Sequence, residues 1–307
     1  SHFMPRPVRS PFHIRYLGSW IALGLLRLLS LVPLQILFHL GTGLGDLLRI
    51  VLRSRRRVAE RNLSLCFPEL SEREAATLAR ENIRNTARML LYTGFVWWAS
   101  EEKLKKRVKI RNEAVLRQFE DGGKGFILLA PHFLALELGG VFISLKSPGV
   151  SVYQRTRNSV FDRSMLRARQ RFGSILYERK DDLRPMFKAI RRGTGCYYLP
   201  DQDPGPRRAV FAPFFEVPTA TWPALGRIAK LCAVPVLPCP TYILPGGAGF
   251  EIVIEKPLPN FPTGTPEGDA QRMNSAIEDC IRRDPSQYFW VHKRFKTRPP
   301  GETSIYD

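Results

Sequence analysis

The sequence predicts an α/β protein with a central, mostly parallel sheet flanked by helices and an N-terminal helix that associates with a membrane. Three observations predict it: short apolar runs alternate with amphipathic stretches along most of the chain, an apolar segment near the N-terminus holds one charge, and arginines crowd around that segment. Among 307 residues, 44% are hydrophobic and 11% aromatic, enough to bury a sizeable core, which excludes a disordered tail protein. The length allows about two domains at ~150 residues each, or one α/β domain with an attached element. An expression scar and start Met are expected at 1–4, a membrane anchor and basic linker at 5–58, and a catalytic domain at 59–307. With 47 Lys+Arg against 28 Asp+Glu the formal charge is +19. This points to an anionic partner, whether phosphorylated lipid, nucleic acid or an acidic carrier protein.

From Tyr16 to Phe38 the chain holds nine leucines with Ile21, Val32, Ile36 and Phe38, and Arg27 is the only charge. Its strongly apolar side chains supply about −6 kcal/mol of insertion energy against about +3 for a central Arg. Pro33 and Gln35 reduce that margin, and a break into two shorter interfacial pieces would relieve Arg27. Arg6, Arg9 and Arg15 precede the segment; Arg49, Arg53, Arg55, Arg56, Arg57 and Arg61 follow it. The heavier cluster on the C-terminal side predicts that the bulk of the protein sits in the cytoplasm against anionic headgroups. A buried amphipathic helix pair of a soluble domain is the competing reading.

Beyond the basic run, Ser71 to about Trp98 has helical spacing, and Ser71 with Glu74 resembles a capping box. Strands are predicted at Gly125–Pro131, Val150–Gln154, Ser174–Tyr177, Cys196–Pro200, Pro235–Ile243 and Phe250–Glu255. Helices are predicted near 134–146, 158–172, 181–192, 221–232 and 267–283. The Pro-Gly-Gly-Ala-Gly run at 245–249 predicts a hairpin and one antiparallel edge. Five cysteines at 66, 196, 232, 239 and 280 lack a C-x2-C spacing and read as buried thiols of a reducing compartment.

The informative stretch is Pro131-His132-Phe133-Leu134-Ala135-Leu136-Glu137, directly after an apolar strand. Residues five apart on an ideal helix lie about 140° out of alignment, so His132 and Glu137 meet only if His132 sits in the loop before the helix. Glu137 would then fix the tautomer of His132, giving the base and orienting partner needed to deprotonate a hydroxyl. A satisfied structural histidine is the plainer alternative. No G-x-S-x-G nucleophile motif is present, so the base would activate an acceptor hydroxyl directly, and a greasy, basic N-terminus makes that acceptor a lipid.

H-x4-E after an apolar strand resembles the signature of the lysophospholipid acyltransferase superfamily. With Tyr153-Gln154-Arg155-Thr156-Arg157-Asn158, Leu199 to Gly205, Phe211 to Phe215 and Gln287 to Lys296 in that order, the chain from roughly Arg15 to Pro299 is similar to the bacterial late acyltransferases of lipid A biosynthesis. The resemblance implies an acyltransferase that moves a fatty acyl group from acyl carrier protein to a hydroxyl of an acyl chain on the Kdo-bearing lipid A precursor. It would act at the cytoplasmic face of the inner membrane. It implies His132 as general base with Glu137 as orienting partner, and Arg155, Arg157 and Asn158 at an oxyanion or substrate phosphate. Asp201 and Gln202 would position substrate. Pro204 stands where the family pattern carries an aromatic residue, which bears on the shape of that loop.

Alternatives remain open at several of these positions. Arg155 and Arg157 could be solvated surface cations, and Asp201 with Asp203 could bind a metal, though no further ligand clusters with them. The expectation is no metal and no cofactor: Gly122-Gly123-Lys124-Gly125 precedes a strand and lacks the spacing of a phosphate-binding loop. The block Trp290 to Lys296 reads as a helix with aromatics inward, or as a basic surface beside lipid or carrier. Lys103 to Arg111 is a solvated face or a dock for an acidic carrier. A lysophospholipid or a glycolipid mannoside competes as acceptor, and a non-catalytic basic membrane- or nucleic-acid-binding protein competes as a class. No recognised nucleic-acid motif accompanies the charge, so no nucleic acid is expected.

Overall fold

The structure, a computed structural model, describes residues 13–306. The scar at 1–4, Arg6 and Arg9 lie outside the described residues. Helices α1 (Leu17–Leu29), α2 (Leu34–Val51), α3 (Arg53–Cys66), α4 (Glu72–Trp98) and α5 (Glu101–Arg107) lead to strand β1 (Val108–Arg111) and helix α6 (Glu113–Asp121). The alternating part runs through β2 (Phe126–Leu129), α7 (Leu136–Lys146), β3 (Val150–Tyr153), α8 (Ser159–Gln170), β4 (Ile175–Glu178), α9 (Arg184–Arg191) and β5 (Gly195–Tyr198). A hairpin of β6 (Val210–Phe214) and β7 (Val217–Thr221) precedes α10 (Ala224–Cys232), β8 (Val236–Pro238), β9 (Thr241–Ile243), β10 (Phe250–Val253) and α11 (Pro266–Arg283).

Five strands form an all-parallel sheet in the order β4-β3-β5-β2-β8. The two strands beside and including the centre matter most here: β2 pairs with β5 in register Leu129↔Tyr198, so the loops that follow both strands emerge side by side. All four residues of β2 are buried, as a strand covered on both faces requires. The predicted antiparallel edge exists in a second sheet, β1-β10-β9, where β9 and β10 pair antiparallel across the Pro245–Gly249 turn. Pro235–Ile243, expected as one strand, is two, because β8 joins the first sheet and β9 the second. The Ser71–Glu74 capping box is formed, with Ser71 N–H on Glu74 Oε2 at 2.9 Å and Glu74 N–H on Ser71 Oγ at 3.3 Å. Such a cap contributes about 1 kcal/mol to the helix it opens.

The apolar segment Tyr16–Phe38 is not one helix: it breaks between α1 and α2 at Ser30–Pro33, where Pro33 cannot continue the first helix. Leu34–Val51 is long and apolar enough, by length and composition, to cross a membrane. Its inner face docks on α4 through Leu34, Leu37, Gly41 and Gly45, all buried. A Cβ at Gly45 would come within 2.5 Å of Arg84 Cα, so only glycine lets the two helices approach this closely. Asp46 accepts hydrogen bonds from both Arg80 and Arg84 at 2.8–3.0 Å, which hold its carboxyl well below the ordinary range. The outer faces remain apolar and exposed, with Ile21, Leu25, Leu28 and Leu31 at 57–70% and Ile36, Leu40 and Leu47 at 51–56%. The expected boundary at residue 58 falls inside α3.

The segment 288–297 is irregular and not the helix that its spacing allowed. Beside short backbone contacts such as Trp290 N–H on Tyr288 O and Arg294 N–H on His292 O, both at 2.8 Å, carbonyls in and just before it accept from side chains far away in the sequence. Asn82 donates to Ser286 O and Tyr288 O at 2.8 and 2.7 Å, and Asn62 donates to Trp290 O and His292 O at 2.7 and 2.9 Å. Trp290 and Phe295 are fully buried, and Arg294 is buried with its guanidinium on Ala220 O at 2.6 Å. This strap closes the end of the sheet where the loops after β2 and β5 emerge. All five cysteines are buried and free.

Candidate active site

His132 lies in the loop between β2 and α7, as its place after Pro131 predicts. Its partner is not Glu137. His132 Nδ1 lies 2.5 Å from Asp201 Oδ1, and the His132 backbone N–H donates to Asp201 Oδ2 at 2.8 Å. Asp201 follows β5, the parallel neighbour of β2, so the two loops deliver the pair although 69 residues separate them. The general reason is that loops at the carboxyl ends of adjacent parallel strands converge, which is where sites form in such sheets. Tyr288 from the C-terminal strap completes the arrangement, its hydroxyl donating to Asp201 Oδ2 at 2.7 Å. Phe289 N–H on His132 O at 3.0 Å and Leu134 N–H on Gln287 O at 2.8 Å fasten the His132 loop to the same strap.

Burial pushes the Asp201 carboxyl up, but the imidazolium form of His132 and the hydrogen bonds from His132 and Tyr288 outweigh it. The net direction is below the ordinary carboxylate range. Tyr288 moves far up, from burial first and then from the Asp201 charge, and so remains a donor. A carboxylate fixed on Nδ1 makes that nitrogen the N–H donor and leaves Nε2 as the basic nitrogen.

His132 lines a cavity of about 760 Å³. Its walls include Phe126, Leu128, Ile143, Val152 and Leu176 and, among them, serines, tyrosines and charged side chains, so the cavity combines room for hydrocarbon with polar contacts. Glu137, on the first turn of α7, lines the same cavity but turns to α8. Arg169 donates Nε to Glu137 Oε1 at 2.8 Å and Nη2 to Glu137 Oε2 at 2.6 Å, a two-point pair that fixes the guanidinium plane. Burial pulls Arg169 down, but the Glu137 charge and hydrogen bonds reverse that, so the guanidinium stays charged. The expected His132–Glu137 hydrogen bond is therefore replaced by two separate pairs, His132–Asp201 and Arg169–Glu137.

Gln202 lines the cavity, whereas Asp201 is 2% exposed and has no face toward it, so the expected contact between Asp201 and substrate gives way to one with His132. Asp203 holds the strap, accepting from Thr297 N–H at 2.7 Å and Thr297 Oγ at 2.8 Å, while its own N–H points to His292 Nε2 at 3.3 Å. Arg155, Arg157 and Asn158 are not brought to His132. Arg155 is largely exposed and sits 3.5 Å from Glu178, and Arg157 is exposed. Asn158 caps α8 through Val160 N–H at 3.1 Å and donates to Ser19 on α1 at 2.7 Å. Its side chain is committed to a cap and to the N-terminal helix. Sequence reasoning missed Arg169 and Tyr288. Arg169 carries no local motif, whereas Tyr288 lies in the Gln287–Lys296 block that carries part of the resemblance, and only its burial beside Asp201 is illegible there.

The site is thus a histidine paired with a buried carboxylate, on the loops of a parallel sheet and at the wall of a mostly apolar cavity. The family model for bacterial lipid A biosynthesis acyltransferases matches residues 7–297. The chain is 34% identical over 308 residues to a lipid A biosynthesis lauroyltransferase of Escherichia coli K12, covering 99% of each chain. It is 35% identical over 301 residues to a lipid A biosynthesis acyltransferase of Haemophilus influenzae, covering 95% of each. To the E. coli lipid A biosynthesis myristoyltransferase it is 31% identical over 310 residues, 100% of this chain and 95% of the relative. The chain belongs to the bacterial lipid A biosynthesis acyltransferase family, and it is an acyltransferase.

Proposed function

We propose that this acyltransferase moves a fatty acyl group from acyl carrier protein to a hydroxyl of an acyl chain on the Kdo-bearing lipid A precursor, with His132 as general base. The observation that carries the reading is the His132–Asp201 pair at the wall of an apolar cavity. Nε2 takes the proton of the acceptor hydroxyl as its oxygen bonds to the thioester carbonyl carbon. The C–S bond of the resulting tetrahedral species breaks, and the departing thiolate takes the proton back from the imidazolium. Asp201 orients His132 and stabilises its charged form; Tyr288 in turn steadies Asp201. Negative charge gathers on the former carbonyl oxygen. Arg169 lines the cavity with Nη1 free of partners among the described residues, and it is the guanidinium suited to meet that charge. Glu137 fixes its plane, and Gln202 contacts substrate.

The exposed apolar faces of α1 and α2 support action at a membrane surface, since a soluble monomer rarely leaves so continuous an apolar face in water. The arginine-rich α3 places cations beside that face, consistent with an anionic, cytoplasmic leaflet of the inner membrane. An acidic carrier matches the +19 charge.

The test is a panel of carriers loaded with different acyl chains and of acceptors that includes the Kdo-bearing precursor, a lysophospholipid and a mannoside glycolipid, with products read by mass spectrometry. Transfer to the precursor is expected, and His132→Ala should lower it about 10²–10⁴-fold while the protein stays folded. Full activity in that variant would eliminate the base assignment. Leu28→Ser with Leu31→Ser and Ile36→Ser should move the protein from vesicles of anionic lipid into the supernatant; unchanged sedimentation would remove these helices from the membrane contact.

A further inference from the structure

The lining of the cavity that His132 faces carries an unbalanced charge. Its lining contains four arginines, Arg169, Arg179, Arg208 and Arg227, and two carboxylates, Glu137 and Asp203. Both carboxylates are already occupied: Glu137 by Arg169, and Asp203 by Thr297 and the Gly205 N–H at 2.8 Å. Arg179, Arg208 and Arg227 have neither an ion pair nor a side-chain hydrogen bond among the described residues. All three are exposed residues on the wall of one cavity, and together they offer an incoming anion several N–H donors without a carboxylate competing for them.

They come from three separate elements. Arg179 directly follows β4, its backbone N–H on Tyr153 O at 2.9 Å, and its guanidinium lies over the Trp222 ring at 4.9 Å. That ring contact orients the planar group without using any of its N–H donors. Arg227 is on the first turn of α10, five residues beyond the same tryptophan. Arg208 is in the loop ahead of β6, which is tied at its start by Asp203. Arginine forks match the oxygens of a phosphate better than any other common anion, and several from different elements can surround one.

We propose that Arg179, Arg208 and Arg227 form a phosphate-binding rim of the active-site cavity, holding a phosphate group of one substrate while the reacting end of that substrate reaches His132. The assignment rests on the acyl-transfer reading and moves the phosphate contact away from Arg155 and Arg157, which do not line the cavity. The phosphate has two chemical sources, the glycolipid acceptor or the phosphodiester arm of a carrier-bound donor.

Single Arg→Gln variants at the three positions and the triple variant should be assayed with four substrate combinations. The acceptor is the phosphorylated glycolipid or the same lipid after phosphatase treatment. The donor is the acyl carrier thioester or an N-acetylcysteamine thioester, which has no phosphate. Each single variant is expected to raise KM for the phosphate-bearing substrate about ten-fold, and the triple variant about 10²–10³-fold, with kcat changed less than three-fold. The preference of the wild-type enzyme for the phosphorylated form of that one substrate should collapse toward unity in the triple variant. Collapse on the acceptor arm places the lipid phosphate at the rim; collapse on the donor arm places the carrier arm there. Equal losses with and without phosphate on both arms, or no loss at all, would overturn the proposal. If the wild-type protein transfers acyl groups to no acceptor in the panel, it is the acyl-transfer reading that fails.

Discussion

The two carboxylates that flank the site, Glu137 and Asp201, are placed by opposite relations in the sequence. Glu137 is five residues from His132 and turns away from it, because one turn of α7 carries its side chain toward α8, where Arg169 holds both oxygens. Asp201 is 69 residues away and touches the imidazole, because β2 and β5 are parallel neighbours whose loops emerge together. The two carboxylates also differ in solvent access: the Asp201 side chain is 1% exposed and the Glu137 side chain 24%. Closeness along a chain sets which groups share a turn, and sheet order sets which groups share a site.

The strongest way to break this comparison is to neutralise each carboxylate in turn. Asp201→Asn should lower kcat about 10³–10⁴-fold, since the amide favours the wrong imidazole tautomer and cannot stabilise the imidazolium. Circular dichroism and lipid binding should stay near wild type. Arg169→Met should lower kcat about 10²-fold by removing a charge that meets the oxyanion. Glu137→Gln should cost only about ten-fold, because it acts through the aim of Arg169, and a glutamine still accepts one of the two hydrogen bonds. Equal losses for Asp201→Asn and Glu137→Gln would mean that the carboxylates share one role and that the structural division between them has no catalytic meaning.

Much of this architecture was legible in the residues. The runs around β2, β3, β4 and β5 are short, apolar and bounded by breakers, and Pro131 correctly placed His132 outside the helix. β1 was hidden because Lys109 and Arg111 alternate with Val108 and Ile110 inside a charged run, so it read as a solvated face. The β6-β7 hairpin was hidden because its turn uses Phe215 and Glu216 at φ 47° and 63°, positions where glycine or asparagine is the usual signal. The Phe215 N–H is instead capped by Glu278 of α11 at 2.7 Å, a contact local sequence does not announce. For the site, H-x4-E and D-Q-D lie on the two loops that the sheet brings together, but the pairing between them depends on strand order. The helical reading of 290–296 failed for a related reason: Asn62 and Asn82, more than 200 residues upstream, take the carbonyls that a helix would use.

The comparison is sharpened by acid, through a smaller effect confined to the strap. His292 is held below its ordinary value by burial first, then by the neighbouring charges of Arg294 and His132, against the opposing pull of Asp201 and Asp203. Its Nε2 accepts the Asp203 N–H, a contact that protonation would abolish. Above about pH 6.5 the imidazole is neutral in folded and unfolded chains, and it adds no pH dependence. As the pH falls below that value the unfolded chain takes up a proton that the folded chain refuses, so stability declines with a limiting slope of about 1.4 kcal/mol per pH unit. The decline ends once the pH passes the lower folded value and both states are protonated. Denaturant unfolding between pH 7.5 and 5.5 should therefore fall more steeply for the wild type than for His292→Asn, which keeps an acceptor and does not titrate. Parallel curves would show that the strap tolerates a charged His292, and the acid sensitivity assigned to it would then have to lie elsewhere.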